Sequence, residues 1–192
     1  MPSPFEEIAS SSAADTSLEF LTNDGSVALY STHTDLILSE SLSERWIEIG
    51  ADGKVEIVSV EPGRIAEQLD LSGGCKVRIC FDPPLTPGTH KFEIKAKFSN
   101  SFIQRDEFFT LTFKHPIEHI RFRIIFPENV PVTSASVVRF DPSPKPPAVQ
   151  VQEAPPSLTL KENSRYEINW IKDNPKVSSV YRIAWSWHLK RV

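Results

Sequence analysis

Residues 115–119 read HPIEH, a match to the H-x-x-E-H pattern in which two histidines hold a zinc ion beside a glutamate. Hydrolysis at such a centre needs both imidazoles on one metal. A helix supplies that placement, because side chains four apart lie on one face within about 6 Å. The local sequence works against it. Pro116 follows His115 directly and disfavours helical geometry there. Beyond it the chain alternates, with Ile120, Phe122, Ile124 and Phe126 on one parity and Arg121 and Arg123 on the other. Four extended residues span roughly 13 Å, too far for two ligands with bonds of about 2.1 Å to share an ion. His115, Glu118 and His119 are therefore expected to lead into a core strand, and a zinc-dependent hydrolase is the disfavoured alternative.

Other reactive groups are equally isolated. His33 and Asp35 share a strand face at i, i+2 and read as solvated surface residues. Cys80 shares a face with Lys76 and Arg78, and cations of that kind lower a thiol pKa. No pattern places a base beside it, as a nucleophile requires. There is no G-x-S-x-G elbow and no phosphate-cradling glycine loop among the seven glycines. The expectation is no catalytic residue, no metal and no cofactor.

The elements that would position these groups are strands. Residues 89–98, THKFEIKAKF, put Phe92, Ile94, Ala96 and Phe98 on one face and Lys91, Glu93, Lys95 and Lys97 on the other. Residues 75–82, 107–113, 119–126, 54–60, 165–171 and 180–189 alternate in the same way. Weaker strand signals lie at 17–22, 27–38, 45–49, 135–140 and 157–161. Cys75 and Cys80 fall on opposite faces of one strand and cannot pair with each other. NDG at 23–25, ADG at 51–53 and SGG at 72–74 carry turn chemistry, and 172–179 reads as a hairpin loop. Sixteen prolines argue against long helices, and only residues 62–71 have helical spacing, at Ile65, Ala66 and Leu69. The fold class expected is all-β: an antiparallel β-sandwich, immunoglobulin-like or jelly-roll-like, with at most one short helix near 62–71.

With 192 residues the chain suits one ordinary domain. Residues 1–16, acidic and rich in Ser and Ala, read as disordered, and 17–192 as a single sandwich with a proline-rich loop at 141–156. The alternative is two units, 17–140 and 157–192. No apolar run is long enough for a membrane-spanning helix. The N-terminus lacks a secretory pattern and the cysteines number two, so a cytoplasmic protein with reduced thiols is expected.

Charge is distributed unevenly. Residues 1–75 hold 14 Asp and Glu against 3 Lys and Arg, whereas 76–192 hold 11 against 18. Lys76, Arg78, Lys91, Lys95, Lys97, Arg121 and Arg123 occupy outward positions of three strands. Were those strands neighbours, they would form one basic face suited to an acidic protein or, less favoured, to a nucleic-acid backbone. Among the aromatics, Trp46, Tyr166, Trp170 and Trp185 are expected in the core, with Ile168 and Ile183. Trp187, near the chain end, is expected to be exposed. The leading expectation is a non-catalytic intracellular module that binds another protein through the basic row, a loop end or a strand edge. A carbohydrate-binding module using Trp185 or Trp187 and a self-assembling jelly-roll subunit are the further alternatives.

Overall fold

The computed structural model describes residues 9–113, 116–143 and 148–188. They form fourteen strands and, among the described residues, no helix. In chain order these are β1 (Ala9–Phe20), β2 (Val27–Leu38), β3 (Leu42–Gly50), β4 (Lys54–Glu61), β5 (Arg64–Leu71), β6 (Gly74–Leu85) and β7 (Gly88–Ser99). They continue with β8 (Asp106–Thr112), β9 (His119–Glu128), β10 (Val132–Asp141), β11 (Val149–Gln152), β12 (Ser157–Leu160), β13 (Arg165–Asp173) and β14 (Val180–Trp187).

The strands build a sandwich whose covering layer is divided. A seven-stranded sheet runs β12-β13-β9-β1-β2-β7-β4. One of its faces is covered by two smaller sheets, β11-β10-β14-β8 and β3-β6-β5. The contacts between layers follow from alternation. Phe109 of β8 stacks on Phe122 of β9 at 5.1 Å and on Tyr30 of β2 at 5.8 Å. Phe81 of β6 meets Phe92 of β7 edge-on at 6.5 Å. A single core of buried residues runs under both small sheets, from Val77, Ile79 and Phe92 to Ile168, Ile183 and Trp185. Pairing is antiparallel except for β1 with β9, which is parallel in the register Ala13 to His119 through Glu19 to Ile125.

Three expectations are corrected. Residues 62–71 are not helical: Arg64–Leu71 is β5, paired with β6. Its register shifts between Ile65 and Glu67. The extra residue of that bulge, Ala66, breaks the alternation and imitates helical spacing. Of the segment 1–16 expected to be disordered, residues 9–16 belong to β1, inserted between β2 and β9, while residues 1–8 lie outside the described residues. Finally, 172–179 is not a hairpin loop, because β13 lies in the seven-stranded sheet and β14 in the four-stranded one. The connection crosses between layers.

Tight turns are where glycine is required. Gly74 opens β6 with φ +132, and a Cβ there would collide with the Ile49 carbonyl of the adjacent strand.

A partly buried ionic cluster ties the four-stranded sheet to the seven-stranded one. Asp141 accepts from Lys176 Nζ, Ser179 Oγ and Arg139 Nε, each at 2.7 Å. Arg139 Nη1 also donates to Glu153 at 2.5 Å, and Glu153 receives Lys172 Nζ at 2.7 Å. These groups come from β10, from the segment after β11, from β13 and from the β13–β14 connection.

Candidate functional site

The three-stranded sheet presents an outer face of mixed chemistry. In β3 the sequence Glu44-Arg45-Trp46-Ile47-Glu48-Ile49 places Glu44, Trp46 and Glu48 on one side. Across the ladder Trp46 is opposite Arg78 and Glu48 is opposite Lys76. On β5, Glu67 is opposite Arg78 and Leu69 opposite Lys76. Lys76 Nζ lies 5.3 Å and the Arg78 guanidinium 6.0 Å from the Trp46 ring centroid. Two cations thus share the π face of one indole. Each is balanced by carboxylates: Lys76 with Glu48 at 3.4 Å, and Arg78 with Glu44 at 3.4 Å and Glu67 at 3.3 Å. Trp46 is 37% exposed, Leu69 43% and Leu71 49%, so apolar area remains open beside the charged ladder.

Trp46 was expected in the core and lies at the surface instead. The signal was available: its parity matches Glu44 and Glu48 and opposes Ile47 and Ile49. Trp187 is corrected in the opposite sense. It is fully buried, 4.5 Å from Phe20 and 5.4 Å from Phe126 by ring centroid, with Nε1 donating to the Gln104 carbonyl at 2.8 Å. Trp185 is buried as well, so neither offers a stacking surface to a sugar. Ile168, Trp170 and Ile183 are buried and Tyr166 is partly buried.

The seven basic residues do not make one row. Lys76 and Arg78 are on β6, in the three-stranded sheet. Lys91, Lys95 and Lys97 are on β7 and Arg121 and Arg123 on β9, with β1 and β2 between those two strands. The latter five project from the uncovered face of the seven-stranded sheet, among acids. Lys95 pairs with Glu93 at 2.8 Å and Arg123 with Asp15 at 3.8 Å. Arg121 Nε donates to Asn169 Oδ1 at 3.1 Å. Lys91 stands opposite Asp35, and Lys97 opposite Glu56. Lys95 holds the Glu93 carboxyl below its ordinary range, with His33 adding to the effect.

The histidines are dispersed. His119 Nδ1 lies 2.7 Å from Asp173 Oδ1, on the first residue of β9, and His33 Nε2 lies 2.9 Å from Glu93. His115 falls outside the described residues. Among the described residues no group of three or more His, Cys, Asp or Glu is placed to hold a metal ion. Cys75 is buried, which pushes its thiol pKa up, and Cys80 is half-buried on the face of Lys76 and Arg78. No helix of the described residues is long and apolar enough to cross a membrane.

No protein-family model matches the chain, and no curated protein matches it significantly. Solved structures do share its fold. A putative protease from Parabacteroides distasonis superposes with TM-score 0.57 at 13% identity, over 94% of this chain and 40% of that one. The M1 zinc metallopeptidase of Deinococcus radiodurans gives 0.51 at 10% identity, over 92% and 42%. A two-domain M1 zinc metallopeptidase bound to L-arginine gives 0.52 at 10% identity with the same coverages, 92% and 42%. The chain therefore spans about two-fifths of the structures it resembles, and at these identities the likeness is one of fold.

Proposed function

We propose that this chain is a non-catalytic binding module that recognises another protein through the outer face of β3-β6-β5. The observation that carries the reading is Trp46, exposed and flanked by Lys76 and Arg78, with Leu69 and Leu71 open beside it. Tryptophan and arginine dominate the residues that carry binding energy at protein interfaces. The carboxylates of Glu44, Glu48 and Glu67 hold the two cations in place and form a charged surround to the apolar centre. A fitting partner surface is apolar at its centre and carries both signs of charge at its rim.

The fold likeness supports a particular setting. A β unit matching about two-fifths of metallopeptidase chains is suited to accompany a peptidase-type catalytic unit, as part of one polypeptide or as a separate protein. In that setting the chemistry belongs to the catalytic unit and the β module supplies a docking surface. The test is metal analysis and a peptide-cleavage assay on the purified chain, with Tyr-Ser-Ala as substrate. The expected result is neither stoichiometric zinc nor turnover. One zinc per chain together with hydrolysis would replace this reading with an enzymatic one.

A further inference from the structure

Between the two covering sheets the seven-stranded sheet is incompletely roofed. Along the inner face of β2, Ala28, Leu36 and Leu38 are buried, while Tyr30, Thr32 and Thr34 between them are only partly so. Ala14 of β1, opposite Thr34, is likewise half-buried. The gap follows from the topology. Phe109 seats β8, the last strand of its sheet, over β9 and β2. Gln68 seats β5 over β4 at the far edge, which leaves β3 as the strand of its sheet nearest the middle.

The floor of this gap is polar. Thr16 and Thr32 lie 3.0 Å apart through their hydroxyls, and the Tyr30 hydroxyl bonds to both. One cation enters from β3. Arg45 points inward, its guanidinium 5.6 Å from the ring centroid of Phe92, whose neighbour across the ladder is Thr34. Among the described residues no carboxylate lies within ion-pair distance of it, whereas Arg78, Arg123, Arg139 and Arg165 all have one. Burial alone moves the Arg45 guanidinium below the ordinary arginine range. A half-buried cation without a counter-charge is complementary to an anion that brings its own.

We infer that the gap between β3 and β8 is a binding site for the carboxylate of a peptide, with Arg45 as the charge partner and the Thr34 hydroxyl as a neutral donor. The forked guanidinium matches a carboxylate in two parallel bonds. The inference rests on reading the chain as a binding module and adds a ligand class and a second location to it.

The test is a titration followed through the Arg45 Nε resonance, using three probes. These are acetylated trialanine with a free C-terminal carboxylate, the same peptide amidated, and an amidated peptide with one internal glutamate. Saturable binding of a carboxylate probe, weakened about tenfold or more by Arg45→Gln, is the expected result. The first probe alone binding would identify a chain end as the ligand, and the third alone an acidic side chain. Thr34→Val, which keeps the charge, should weaken binding less. Absence of saturation by either carboxylate probe, equal binding of the first probe and its amide, or an affinity unchanged in Arg45→Gln would overturn the inference. None of these outcomes bears on the Trp46 face, which photo-crosslinking at Glu48 and Leu69 tests separately.

Discussion

Gln68 of β5 donates its Nε2 to the Val55 carbonyl of β4 at 3.0 Å and accepts from the Ile57 amide at 3.4 Å through Oε1. A side chain of one sheet thus occupies the edge hydrogen-bonding positions of another. β4 ends the seven-stranded sheet, and an uncovered edge is open to pairing with other chains. Gln68→Ala is expected to cost about 1–2 kcal/mol, the order of two modest hydrogen bonds. It should also speed hydrogen exchange at Ile57 relative to Ile94 in the sheet interior. Unchanged exchange at Ile57 would show that the cap is ineffective.

Trp187 anchors the end of β14 rather than decorating it. Trp187→Ala should destabilise the fold by about 3–5 kcal/mol, read from a denaturant midpoint. Trp187→Phe should cost less, because it retains the ring contact with Phe20 while leaving the Gln104 carbonyl without its donor. Gly25 should be nearly as sensitive. Its φ of +73 and the closeness of Phe102 and Trp187 leave no room for a Cβ, so Gly25→Ala should destabilise more than alanine at Gly73, where nothing is near.

Asp141 sets an acid limit on stability. Hydrogen bonds from Lys176 and Ser179, and then from Arg139, hold its carboxyl well below the usual carboxylate range. A depressed native pKa contributes stability above the unfolded value of about 3.9, and that contribution is lost as pH falls through the native one. Asp141→Asn should therefore lower the melting temperature most at neutral pH. The gap to the parent should narrow on acidification below about pH 4.

Glu107 behaves oppositely. Burial pushes its pKa up, with the charge of Asp52 adding to the shift, while the Gln104 amide donates to it at 2.7 Å. A raised native pKa favours the fold below the unfolded value of about 4.3, and the benefit disappears as pH rises through the native pKa. Glu107→Gln keeps an acceptor oxygen and removes the buried charge. It should raise the melting temperature at neutral pH and change it little near pH 4 (about the unfolded glutamate pKa). A variant equally destabilised at both pH values would show that the hydrogen-bond geometry, not the charge, matters.

Much of this architecture is legible where alternation is clean. In β7, Phe92, Ile94, Ala96 and Phe98 are all buried, as a period of two demands. Legibility fails where one residue disturbs the period, as Ala66 does in β5, or where a strand has little apolar content, as in residues 9–16 of β1. It fails again where burial is decided by distant chain. Trp187 sits near the end of the sequence, yet Phe20, Gly25 and Gln104 enclose it. The basic residues show the same limit. Each outward position is legible, but sheet order separates β7 from β9 and places β6 in another layer. No local pattern encodes that order. The candidate face was half visible: Lys76 and Arg78 stand out as cations, while Trp46 needed its parity with Glu44 and Glu48 to be weighed above its size.

The proposed docking of a protein partner on the outer face of β3-β6-β5 can be read by site-specific photo-crosslinking. A photoreactive side chain is placed at Glu48 or Leu69 on that face, or at Lys91 on the uncovered face of the seven-stranded sheet, in cells producing the full protein. The expected result is a defined protein adduct from Glu48 and Leu69, lost when Trp46→Ala is added, and none from Lys91. Adducts from Lys91 alone, or adducts from Glu48 and Leu69 that persist without Trp46, would rule out docking on this face.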